Sequence, residues 1–152
     1  MKKSQLQFEQ LERKLKPFKA PARVNNPENG WVNTIRLSLG MSLEQLGFRL
    51  NISRQSAKSI EIREVEGSIT MKALREAGSA MEMNLVYGFF PKDGSIEKLI
   101  ERRAGEIATE IVVRTSGTMN LEDQGNEPSR IKRAIEERAK EIINERPKLL
   151  WD

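Results

Sequence analysis

Between Ser42 and Glu61 the chain reads SLEQLGFRLNISRQSAKSIE, and its second half gathers Ser53, Arg54, Gln55, Ser56, Lys58 and Ser59 within seven positions. These side-chain types suit nucleic acid. The Arg54 guanidinium can donate two parallel bonds to guanine, the Gln55 amide can pair with adenine, and Ser59, one helical turn further on, can touch a base or a thymine methyl. Ser53, Ser56 and Lys58 suit phosphate oxygens, and Ser42 offers one more hydroxyl at the head of the preceding segment. Each also has an ordinary use. Ser42 and Ser53 are good helix caps, and Arg54 serves equally as a solvated surface charge.

Spacing separates these readings. A helix-turn-helix holds two helices nearly perpendicular, so it needs a small residue at their crossing, a residue tolerant of positive φ in the turn, and apolar anchors under the second helix. Counted from Leu43, the fifth residue is Gly47, the ninth Asn51, the tenth Ile52, the fifteenth Ala57 and the eighteenth Ile60. Every position is suitably filled. A helical corner of no special function meets two or three of these demands, seldom all of them with so polar a second helix. Glu61, Glu64 and Glu66 follow on that helix and would repel a phosphate backbone, so its C-terminal half is expected to tilt away from DNA.

The expected fold class is mostly α: a five-helix, λ-repressor-like helix-turn-helix domain with an N-terminal helical arm, one short β-strand and a C-terminal helical extension. The first helix is expected over about Ser4–Lys16, with Leu6, Leu11 and Leu15 sharing a face, and Pro17 stops it. PFKAPARVNNPENG then reads as linker. Trp31–Leu39 follows with Trp31, Ile35 and Leu39 as its stripe, then a helix capped by Ser42 carrying Leu43, Leu46 and Leu50. The helix from Ser53 turns Ala57 and Ile60 inward and ends at Gly67, and another capped by Thr70 runs to about Met81 with Leu74 and Ala77 facing in. NLVYGFFP breaks the pattern with β-branched and aromatic residues and reads as a strand. Ser95 opens a long helix bearing Ile96, Leu99, Ile100, Ile107 and Ile111. RTSGTMNLEDQGNEPS reads as a loop or broken helix, and Pro128 starts a last helix with Ile131, Ile135, Ala139 and Ile142, ended by Pro147. The organisation is therefore residues 1–24 as a basic helix and linker, 31–83 as the DNA-binding domain, and 84–152 as a strand and helices for dimerisation or partner binding.

Composition narrows the function further. With no cysteine and no histidine in 152 residues, the chain lacks disulfides, thiolate or imidazole metal ligands, a cysteine nucleophile and the commonest general base. No enzymatic activity, metal or cofactor is expected. No apolar run reaches the roughly 20 residues of a bilayer span, and MKKSQLQFEQLERK lacks a signal peptide's apolar stretch, so no membrane role and a cytoplasmic location are expected. The net charge of +4 is unevenly placed: Met1–Val24 carries seven basic residues against two acidic ones, a surplus that exceeds the whole. Such an arm can follow a polyanion.

GMSLEQLGFRLNISRQSAKSIEIRE resembles the Cro and phage-repressor type of DNA-binding domain, the XRE family, over Trp31 to about Met83. GWVNTIRLSLGMSLEQL, NLVYGFFP and TMNLEDQ, in that order, resemble more narrowly a bacterial family called mobile mystery protein A, over most of the chain. The resemblance implies a transcription regulator. Because that family occurs beside genes for Fic-domain proteins, the resemblance also implies, as an alternative, a Fic-domain partner, with the chain as an antitoxin-like inhibitor and DNA binding secondary. Three positions depart from the wider family. Gly47 stands in place of alanine and Asn51 in place of glycine, both mild changes, while Leu43 replaces a phosphate-binding glutamine and leaves that contact to Ser42 and the helix amides. Thr118–Glu122 has the Ser/Thr-to-Glu spacing of Fic-inhibitory helices, but Asp123 stands where that motif carries Gly or Asn; a capping loop is the plainer reading.

The partners expected are therefore a double-stranded DNA operator and a second copy of the chain, repressing the chain's own operon. A purely structural partner role stays open beside the antitoxin reading. Leu85, Val86, Tyr87 and Phe89 are the expected dimerisation residues, since a lone apolar strand leaves backbone groups unpaired and pairing with its own copy satisfies them.

Overall fold

A computed structural model describes residues 2–120, 128–145 and 147–152, and it is mostly α-helical. Among these residues the helices are α1 (Lys2–Leu15), α2 (Trp31–Ser38), α3 (Leu43–Leu50), α4 (Arg54–Glu66), α5 (Met71–Ala80), α6 (Ile96–Asn120) and α7 (Pro128–Glu145). Short 3-10 turns follow at Lys16–Phe18, Pro21–Arg23 and Pro147–Trp151. No helix is long and apolar enough to cross a membrane among the described residues. The chain divides into two compact units: Ala20–Gly88, and Met1–Lys19 together with Phe89–Asp152.

In Ala20–Gly88 the caps set the helix starts. Ser42, Ser53 and Thr70 each accept a hydrogen bond from the amide three residues on, at Gln45, Ser56 and Ala73. Gln45 reciprocates by accepting from the Ser42 amide at 2.8 Å, closing a capping box. Left-handed residues set the ends: Asn51 (φ 57°, ψ 41°) closes α3 and Gly67 (φ 78°) closes α4. The core holds Val32, Leu46, Ala57, Ile60, Ala77, Ala80 and Met81, with Ile35, Leu43, Leu50 and Leu74 packed against it. The unit has four α-helices, α2 to α5, where five were expected, and α1, expected as an arm, belongs to the other unit.

Two expectations about α2 and the segment after α5 are corrected. Trp31 and Leu39 are 43% and 50% exposed, while Val32 and Arg36 take the buried positions. Arg36 can lie inward because the Glu61 carboxylate and the Met41 carbonyl meet it there. The strand expected in Asn84–Pro91 is absent. No strand forms among the described residues, and Asn84 to Phe90 make no backbone hydrogen bond. Apolar and β-branched residues favour a ladder only where a neighbour supplies one.

The second unit is built on α6 and α7. Ala104, Ala108, Ile142 and Leu150 are buried, with Ile100, Ile107, Ile135 and Ala139 beside them. Ala104 and Ala108 of α6 let the helices approach, and neither was among the residues expected in the stripe of that helix. Arg103 donates to the Leu150 carbonyl and lies over the Trp151 ring at 5.8 Å, holding the C-terminal turn. α1 is more than an arm: the Glu12 carboxylate accepts from the Ile96 and Glu97 amides and caps α6. The face of α1 turned inward carries Phe8, Glu12 and Leu15, whereas Leu6 and Leu11 are exposed. The loop or broken helix expected from Arg114 is corrected as far as Asn120, because α6 continues through those residues. Of the Fic-like spacing, Leu121 and Glu122 lie outside the described residues.

Candidate nucleic-acid interface

The turn between α3 and α4 places the candidate residues. Gly47 on α3 sits against the turn backbone so closely that a Cβ there would lie 2.8 Å from the Ile52 carbonyl oxygen and 3.1 Å from that of Ser53. Glycine at this position is therefore required by the close approach, a stronger demand than the mild change expected from sequence. Asn51 supplies the positive φ, its amide donating to the Phe48 carbonyl, and the Ile52 amide donates to the Gly47 carbonyl at 2.8 Å. α4 then starts in solvent. Ser53, Arg54, Gln55, Ser56 and Lys58 are exposed and Ser59 is half-buried.

Among the described residues, Arg54 and Gln55 have no side-chain hydrogen bond or ion pair, so both present their full donor sets. The Ser53 hydroxyl oxygen accepts from the Ser56 amide and its O–H donates to the Ser56 hydroxyl at 3.0 Å, leaving the Ser56 O–H outward. Ser42 keeps its O–H, since its cap uses only its lone pair. Lys58 stands 3.7 Å from Glu61.

Two of the three acidic residues of α4, Glu61 and Glu64, are engaged by α2. Glu61 is 3% exposed and accepts from Arg36 Nε at 2.5 Å and from Asn33 Nδ2 at 3.0 Å. Arg36, 6% exposed, also donates to the Met41 carbonyl at 2.9 Å. Burial alone pushes the Glu61 carboxyl up, but the hydrogen bonds from Arg36 and Asn33, with the charges of Arg36 and Lys58, outweigh it and hold the carboxyl below the usual carboxylate range. Glu64 accepts from the amides of Trp31 and Val32 at 2.6 and 2.8 Å and so caps α2. Of the three glutamates, only Glu66 is exposed.

Sequence reasoning expected the C-terminal half of this helix to tilt away from DNA on account of these acids and missed their partners. The signal was present in Arg36, which shares the buried register of α2 with Val32; a charge in that register requires a counter-charge from another element. Among the described residues no group of three acidic, histidine or cysteine side chains is placed to hold a metal ion. No family model, no curated protein and no solved structure matches the chain.

Proposed function

We propose that the chain is a sequence-specific, non-enzymatic DNA-binding regulator of transcription, in which α3 and α4 act as a helix-turn-helix of the repressor type. α4 enters the major groove by its N-terminal turn, with Arg54 and Gln55 reading base edges and Ser59 one turn further in. Ser42, Ser53, Ser56 and Lys58 hold the flanking phosphates, aided by the free amides that begin α4. Occupancy of an operator at the chain's own operon then excludes polymerase.

One observation carries this reading. The exposed end of α4 is uncharged or cationic and its side chains at Arg54 and Gln55 are unengaged, while on the same helix Glu61 is paired with Arg36 and Glu64 accepts from the α2 amides. A phosphate backbone approaching that end meets donors and no free carboxylate from the first two turns of the helix. The test is a binding assay on DNA from upstream of the chain's own gene, set against a scrambled sequence, with Arg54→Ala and Gln55→Ala alongside. Preference for the upstream DNA that both variants lose supports the reading. Wild-type protein with equal affinity for the two sequences overturns it.

A further inference from the structure

The stretch from Asn84 to Phe90 is the least satisfied part of the described chain. Seven consecutive residues make no backbone hydrogen bond, none is charged, and Val86, Tyr87 and Phe89 are 76%, 63% and 83% exposed. In a chain with 32% charged residues, such a run is conspicuous. Free backbone donors and acceptors beside exposed apolar side chains form a template for another strand. We propose that a second copy of the chain is that partner, joined antiparallel through Asn84–Phe90 with Tyr87 of each copy on the two-fold axis.

The register follows from where pairing capacity ends. On one side the Met83 amide is already committed to the Gly78 carbonyl at 2.8 Å; on the other, Pro91 has no amide hydrogen to give. The free stretch is thus centred on Tyr87. An antiparallel ladder about that centre sets Met83 opposite Pro91, two positions that cannot extend it, and Leu85 opposite Phe89. Just outside, it brings Glu82 of each copy opposite Lys92 of the other, opposite charges at both ends. Glu82 is 87% exposed, and its ion pair with Arg49 of its own chain, at 3.9 Å and open to solvent, is a weak competitor for it.

The same register gives Phe89 a seat. Leu85 lines an apolar groove of about 320 Å³ with Trp31, Ile35, Leu74, Met81 and Met83, and its opposite number from the second copy is Phe89. Val86, Tyr87 and Phe89 together leave roughly 400 Å² exposed per copy, about half of the 800 Å² a standard interface takes from each partner, and covering the groove walls supplies more. A two-fold axis brings residues near it against their own copies, so an uncharged run is the composition that pairs with itself without repulsion.

The inference stands apart from the DNA reading and is tested without DNA. The chain contains no cysteine, so a single introduced thiol reports one position of the full-length protein. Residues directly opposed in an antiparallel pair have Cα atoms about 4.5–5.5 Å apart, within disulfide range. Tyr87→Cys is expected to form a linked dimer under mild oxidation at least about tenfold faster than Val113→Cys, an exposed position on α6. Phe89→Asp, at a side chain too exposed to support the fold, is expected to weaken the dimer about tenfold or more in sedimentation with an unchanged circular dichroism melt. Glu82→Lys and Lys92→Glu are each expected to weaken the dimer, and the double exchange to restore it. Wild-type protein that sediments as a monomer at micromolar concentration, equal oxidation rates at the two cysteine positions, or no restoration by the double exchange would overturn the proposal.

Discussion

Arg36 of α2 and Glu61 of α4 meet in the interior at 2.5 Å, the guanidinium 8% and the carboxylate 3% exposed as side chains. The pair joins the helix that would read DNA to the helix behind it. Removing one partner leaves the other buried and uncompensated, so Glu61→Ala is expected to cost about 3–5 kcal/mol in urea unfolding. Because the folded carboxyl is held below its ordinary value near 4.5, its stabilisation is complete above that value and is lost as pH falls through the folded one. The stability gap between wild type and Glu61→Gln should therefore be constant near neutrality and shrink in acid. A gap that stays level to the acid limit of folding would remove Glu61 as its source.

Arg54→Ala is expected to weaken specific DNA binding by about 1–3 kcal/mol and to relax preference at one base pair. Lys58→Ala should weaken all sequences alike, since a phosphate contact carries no sequence information. Its neighbour Glu61 already draws on that ammonium, which makes the loss at Lys58 the smaller of the two. Titrations on single-base operator variants separate the patterns.

Gly47→Ala is expected to destabilise the unit by about 1–3 kcal/mol, because the new methyl meets the Ile52 carbonyl and must push the turn open. Asn51→Ala should cost about 1–2 kcal/mol for a different reason, a left-handed backbone without an asparagine to favour it. Thermal or urea melts measure both, and equal stability of Gly47→Ala and wild type would contradict the close approach.

Glu64→Ala removes both acceptors from the start of α2, with an expected loss of about 1–2 kcal/mol. Hydrogen exchange gives the local readout: the Trp31 and Val32 amides should exchange faster, while those in the middle of α6 keep their wild-type rates.

The basic surplus of α1 and its following turn is tested by neutralisation rather than deletion, because Glu12 also caps α6. With Lys14, Lys16 and Lys19 changed together to Gln, DNA affinity is expected to fall. Its logarithmic salt dependence should flatten by up to about 0.9 for each phosphate that the arm no longer neutralises. An unchanged slope would assign this segment to protein contacts alone.

Much of the local structure was legible in the sequence alone. Ser42, Ser53 and Thr70 are caps by their own short-range chemistry, Asn51 and Gly67 end helices because few residues accept positive φ, and the apolar repeats through Leu46, Ala57, Ile60 and Ala77 determine which faces turn inward. These are decisions made within a few residues. The tertiary structure decided what depends on distant partners. Arg36 lies inward on α2, where of the expected stripe only Ile35 packs on the core, because Glu61, 25 positions later, neutralises it; Glu64 became a cap for a helix 32 positions earlier; and Glu12 tied α1 to α6. The sequence pattern of NLVYGFFP favours pairing but cannot create a neighbour, and within one chain none is present among the described residues, so a segment of strand-forming composition stands without a ladder.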